Sequence, residues 1–230
     1  AIGGTEDKNN LDTHLYMSFK IAYNGSTVPV RIRGLLGHSQ AYAVLAAASI
    51  AVALGMNLLE ITEGIGDYVS PSGRTKLLKG IKNSWIIDDS YNSSPLAAIS
   101  AIETLAIFKD YRKIAILGDM LELGEYTEKA HRDLGNKAAE VCDFIIVVGS
   151  RAKFIYDEAL SRGFSKENIF YFDQHQIEEA GKFLREKINS GDMILVKGSQ
   201  EMRMEKIVKE VMAEPEKAKE LLVRQDWEDA

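Results

Sequence analysis

Three stretches of the chain gather side chains suited to holding a phosphorylated or sugar-bearing ligand. In Asp88-Asp89-Ser90-Tyr91-Asn92-Ser93-Ser94-Pro95, the carboxylates of Asp88 and Asp89 can accept hydrogen bonds from sugar hydroxyls, and Tyr91 and Asn92 can shape a pocket. Ser93, Ser94 and Pro95 have a simpler explanation, because a serine cap followed by proline starts a helix. That explanation leaves two adjacent aspartates and a Tyr-Asn pair unused, which favours a binding role for them. Gly118-Asp119-Met120-Leu121-Glu122-Leu123-Gly124 offers a second carboxylate pair, suited either to acid–base chemistry or to a turn after a strand. Lys197-Gly198-Ser199 can hold a phosphate or a carboxylate, and equally can close a strand. Arg74, after Gly73, is either an anion clamp or a surface residue at a hinge. His38, after Gly37, either meets a ligand or caps a loop. His14, His131 and His175 lack metal-ligand spacing and read as helix-surface or capping residues. No residue of the chain is assigned a catalytic role.

The elements that must position these groups follow from the apolar pattern. Residues 15–23 and 27–33 alternate around Asn24-Gly25, which predicts a β-hairpin. An Ala-rich helix follows from about His38 to Leu54, with Gly55 as its stop. A second helix, 58–63, runs into Gly64-Ile65-Gly66 and Ser70-Pro71-Ser72-Gly73, the strongest domain boundary in the chain. Beyond it, apolar strands at 85–87, 113–117, 144–148, 169–172 and 193–196 alternate with helices near 95–108, 126–141, 151–163, 176–189 and 203–213. Continuous apolar strands between helices predict an α/β domain, a doubly wound parallel sheet covered on both faces. Ligands bind beyond the carboxyl ends of such strands, and 88–95, 118–124, Gly149-Ser150 and 197–199 all fall there, as in one shared cleft. The tail, 214–230, is charged and predicts a solvated helix.

The chain has 230 residues, 28 basic against 34 acidic, and one cysteine, Cys142. This is the composition of a globular protein without a disulfide framework, and it points to a reducing compartment. No basic tract marks a nucleic-acid partner, and the apolar run at 41–54 is too short to span a bilayer. G-x-x-x-x-G-K-[ST], G-x-G-x-x-G, H-E-x-x-H and G-x-S-x-G are all absent. The chain opens Ala1-Ile2-Gly3-Gly4 with neither Met nor a leader pattern, so a processed chain or a fragment is expected.

The runs 88–95 and 117–124 together resemble the Mur ligases. Within that family they are most similar to members that join D-Ala-D-Ala to UDP-MurNAc-tripeptide. Gly37-His38 before the Ala-rich helix, Ser72-Gly73-Arg74, Glu128 and His131 before Gly135, and Val196-Lys197-Gly198-Ser199 stand in the same order as in that family. The resemblance implies a cytoplasmic, ATP-dependent amide ligase of peptidoglycan synthesis that works through an acyl phosphate. It implies that 1–72 is the C-terminal part of the central ATP-binding domain. It makes 73–230 the family's Rossmann-like C-terminal domain. It assigns nucleotide contacts to His38, Arg74, Asp88 and Asp89, and the substrate cleft to Tyr91, Asn92, Asp119, Lys197 and Ser199. ATP is the implied cofactor with Mg2+, whose main ligands, like the P-loop, would lie in N-terminal and central domains outside this chain. Ser39 and Ala43 depart from the family's usual Asn, as do Ser94 from Asn and Gln200 from Arg. Another Mur or folylpolyglutamate-type ligase, or a non-catalytic nucleotide-binding module, are the alternative readings.

Overall fold

The computed structural model describes residues 2, 3, 11 and 15–224. It divides into two compact units, Ala1–Pro71 and Ser72–Ala230.

In the first unit, β1 (Ile2–Gly3), β2 (Tyr16–Tyr23) and β3 (Ser26–Arg33) form an antiparallel sheet in the order β1-β2-β3. The expected hairpin is present: Asn24 and Gly25 both take positive φ, the geometry of a two-residue turn whose twist matches the strands. Helix His38–Ala53 is apolar nearly all round and buries Gln40, Val44 and Ala48. Helix Leu58–Gly66 begins with a capping box. Asn57 accepts the N–H groups of Leu59 and Glu60, and the Glu60 carboxylate accepts the Asn57 N–H. It runs three residues past its expected end. Ile61 and Ile65, four apart, both bury, and that gain carries Gly64 and Gly66 into the helix.

The second unit is a six-stranded sheet in the order β4-β5-β9-β6-β7-β8, comprising β4 (Lys76–Lys79), β5 (Trp85–Asp89), β6 (Lys113–Gly118), β7 (Phe144–Val148), β8 (Ile169–Phe172) and β9 (Met193–Lys197). All neighbours run parallel except β4, which is antiparallel to β5. Helices Pro95–Ala106, Thr127–Val141 and Lys153–Ser161 pack in series along one face. Helices Ile177–Lys187 and Glu205–Val211 bury Leu184, Ile207 and Val211 against Ile114, Ile146 and Ile194 on the other. The sheet is thus covered on both faces, as its unbroken apolar strands require. β9 enters between β5 and β6, so the three strands that end in Asp89, Lys197 and Gly118 lie side by side.

Three expectations are corrected. β4 was not expected, because Lys76-Leu77-Leu78-Lys79 is too short for a pattern; its lysines suit an edge strand, which they protect from pairing with other chains. Over its described residues, 214–224, the tail is not a single solvated helix. A turn, Pro215–Lys217, leads into a short helix, Ala218–Leu221, and Ala218, Leu222 and Arg224 are buried; residues 225–230 lie outside the described residues. His131 has no exposed surface, so it is not a helix-surface residue. His14 lies outside the described residues, and His175 is exposed.

Candidate functional site

The carboxyl ends of β5, β9 and β6 gather most of the residues singled out from the sequence. Lys197 is buried, which is tolerable only with a partner. Its Nζ lies 2.6 Å from Asp89 Oδ2 and donates to the Asn92 carbonyl oxygen at 2.9 Å. Asp89 Oδ1 accepts the Thr75 N–H at 3.0 Å and is 3.3 Å from the Thr75 hydroxyl. Three donors from the protein therefore occupy a carboxylate with about four acceptor positions. Thr75 itself sits at φ 56°, a conformation costly for a β-branched residue and held here by Asp89.

Asp88 faces inward with no exposed surface. It accepts the Gly73 N–H on Oδ2 and the Ser90 N–H on Oδ1, both at 3.2 Å. Burial raises its pKa to about 6, and the neighbouring Asp89 charge adds to the rise, while the N–H groups of Ser90 and Gly73 oppose it. Asp88 therefore anchors the segment that presents Arg74. The Tyr91 N–H donates to the Gly73 carbonyl at 3.0 Å. Gly73 is at φ 68°, and a Cβ there would come within 3.0 Å of the Tyr91 nitrogen and 3.2 Å of Val223, so only glycine threads this gap. The exposed Arg74 guanidinium then lies over the Tyr91 ring, 4.1 Å from its centroid. Asn92 is exposed, and its Oδ1 accepts the Ser93 N–H at 2.8 Å.

Asp119 is also fully buried. Its Oδ1 accepts the Ala152 N–H at 2.6 Å, at the start of helix Lys153–Ser161, and its Oδ2 lies 3.4 Å from Arg151. A carboxylate at a helix N-terminus is favourable. Gly149 makes room for it: a Cβ there would stand 2.4 Å from Asp119 Oδ1. The Ser199 N–H donates to the Asp119 carbonyl, and Ser199 Oγ accepts the Leu121 N–H, both at 2.9 Å. Of the two roles open to Asp119, the structure displays the anchoring one.

The buried members of the set, Asp88, Asp89, Asp119, Lys197 and Ser199, hold loops together. Arg74 and Asn92 are exposed and Tyr91 is half-buried. Separately, Arg151, His175, Glu122 and Glu201 line a cavity of about 450 Å3 beyond β6 and β9. This rim carries charges of both signs. His38, exposed at the first position of its helix, belongs to the first unit.

Sequence reading missed three contributors. Arg224 donates to the Ser90 carbonyl at 2.7 Å and the Tyr91 carbonyl at 2.9 Å, and pairs with the buried Glu205 at 2.5 Å. Its two carbonyl partners lie more than a hundred residues away and Glu205 lies 19 away, so no local pattern marks it. Thr75 is one residue past Arg74 and gives no signal of its own. Arg151 follows Gly149-Ser150 and was within reach of the strand-end rule, one residue further on.

Residues 73–200 match the family model described as Mur ligase, glutamate ligase domain. The UDP-N-acetylmuramoyl-tripeptide–D-alanyl-D-alanine ligase of Bacillus subtilis is 28% identical over 183 residues, covering 79% of this chain and 39% of that protein. The protein of the same name from Buchnera aphidicola subsp. Acyrthosiphon pisum is 33% identical over 185 residues, covering 79% and 38%. The chain thus spans about two-fifths of the length of these relatives. A crystal structure of MurF from Acinetobacter baumannii superposes with a TM-score of 0.69 at 26% identity, covering 84% of this chain and 42% of that one. MurF ligase from Thermotoga maritima in complex with ADP shares the fold, with a TM-score of 0.74 at 23% identity over 94% and 46% of the two chains. Because the family model spans more than half of its residues, the chain belongs to the Mur ligase family.

Proposed function

We propose that this chain is part of an ATP-dependent ligase of peptidoglycan precursor synthesis, one that adds D-Ala-D-Ala to UDP-MurNAc-tripeptide. The observation that carries this reading is the rim beyond β5–β9. There the exposed Arg74 guanidinium, stacked on Tyr91, has the charge and position that suit an anionic nucleotide. A cavity nearby presents Arg151 and His175 with Glu122 and Glu201, charges of both signs that suit a zwitterionic dipeptide. ATP in such a ligase supplies the phosphoryl group that turns the peptide carboxylate into an acyl phosphate, open to attack by the dipeptide amine. In this reading Arg74 contacts the nucleotide phosphates, and Asp89 offers its remaining acceptor position to the ribose. His38 lies near the adenine. Tyr91 and Asn92 line the cleft, while Asp88, Asp119, Lys197 and Ser199 hold its loops. Residues 1–72 are the end of the central ATP-binding domain and 73–230 the C-terminal domain of an enzyme of the cytoplasm. Among the described residues no cluster of three or more His, Cys, Asp or Glu could hold a metal ion. In this reading the main Mg2+ ligands belong to the N-terminal and central domains, outside this chain. No helix among them is long and apolar enough to cross a membrane.

The test is ADP release by the complete product of the gene that encodes this chain. ADP should appear only when both UDP-MurNAc-tripeptide and D-Ala-D-Ala are present. Nucleotide binding without turnover under those conditions would favour a non-catalytic module. The 230-residue chain alone, without a P-loop, should release none.

A further inference from the structure

His131 stands on helix Thr127–Val141, and its two ring nitrogens face groups of fixed polarity. Nδ1 is 2.6 Å from the Thr127 carbonyl oxygen, which can only accept. Nε2 is 2.9 Å from the Met120 backbone nitrogen, whose N–H can only donate. One protonation state satisfies both, the neutral ring with its proton on Nδ1. A proton on Nε2 would set two donors against each other and expel the Met120 N–H.

Met120 belongs to the loop after β6, and that loop is held at three successive residues by three different elements. Asp119 is tied to Ala152 after β7, Met120 to His131 on the helix, and Leu121 to Ser199 after β9. The next residue, Glu122, is at φ 62°, a conformation that a non-glycine keeps only when its surroundings impose it. Leu121 and Glu122 then form one wall of the 450 Å3 cavity.

We propose that His131 is a positioning residue for the acceptor side of the cleft: its neutral imidazole fixes the 119–122 loop, and protonation of Nε2 releases it. The functional half of this inference rests on the reading of the cavity as a substrate site; the locking half does not. The charged groups that face the ring are Asp119, which favours a proton, and Arg151, which opposes one. Burial is the largest influence and holds the ring neutral below its ordinary range, so the lock opens only in acid.

NMR of the whole chain tests the lock without any substrate. Long-range 1H–15N spectra at neutral pH should show His131 protonated on Nδ1 and unprotonated on Nε2. The Met120 and Leu121 amides should lose hydrogen-exchange protection, corrected for intrinsic rate, in step with His131 protonation. His131→Gln places an oxygen acceptor where Nε2 stood and should keep that protection without the acid response, whereas His131→Ala should lose it. An Nε2–H tautomer, or titration of His131 with both amides unmoved, overturns the lock, and the wild-type spectra decide this even if a variant fails to fold. In the complete enzyme, His131→Ala should raise KM for D-Ala-D-Ala about tenfold, the worth of one hydrogen bond, and KM for ATP much less. A locked loop with an unchanged KM would overturn the assignment to the acceptor side and leave the ligase reading to its own test.

Discussion

Individual side chains at the cleft divide into buried anchors and exposed contacts, and the two kinds fail differently. Lys197→Met leaves Asp89 charged, buried and unpaired, which should cost about 3–5 kcal/mol in urea unfolding. A loss under about 1 kcal/mol would mean that water reaches the pair. Asp88 makes a prediction in pH. Its folded-state pKa, about 6, stands above its ordinary 3.8, so protonation favours the folded state. The contribution is fully present below about pH 4 and is lost as pH rises through 6, about 3 kcal/mol by pH 7. The Asp88 side-chain carboxyl 13C shift should therefore move with a midpoint near 6, and a midpoint near 4 would show it solvated. Arg74, being exposed, should cost little stability when changed to Ala, yet in the complete enzyme it should raise KM for ATP; unchanged ATP kinetics would remove it from the nucleotide site. These roles were half legible from sequence. The strand-end rule located Asp88, Asp89, Asp119, Lys197 and Ser199. Which of them face solvent depends on partners such as Thr75 and Ala152, whose approach only the packed loops decide.

At the scale of elements, local pattern carried far. The hairpin, the Ala-rich helix and five parallel strands are written in apolar periodicity and in Asn24-Gly25 and Gly55. What escaped was decided by long-range contact. β4 exists because β5 offers it an edge, and the last short helix exists because Leu222 and Arg224 find burial far from their own neighbours. Arg224 ties the chain's tail to the 88–95 loop. Arg224→Ala removes two hydrogen bonds to that loop and leaves the buried Glu205 with Arg203 as its remaining cation. It should destabilise the fold by about 2–4 kcal/mol and speed hydrogen exchange around Tyr91. Stability within about 0.5 kcal/mol of the parent would show that this tie adds nothing to the fold.

For the molecule as a whole, the sheet order places a cleft where β9 separates β5 from β6, which is where an open parallel sheet binds ligands. The second unit supplies that cleft's Arg74 and Tyr91, its cavity and its loop anchors. The sequence carries no phosphate-cradling glycine motif, and it spans about two-fifths of the length of the Mur ligases it matches, so the test is made on the complete gene product. The most direct measurement gives the complete gene product ATP and UDP-MurNAc-tripeptide with a mixture of acceptors, D-Ala-D-Ala, D-glutamate, L-lysine and meso-diaminopimelate, and identifies the product by mass. The D-alanyl-D-alanine adduct should dominate. A product carrying one of the single amino acids, with no dipeptide adduct, would contradict the account and assign the chain to a different ligase of the family.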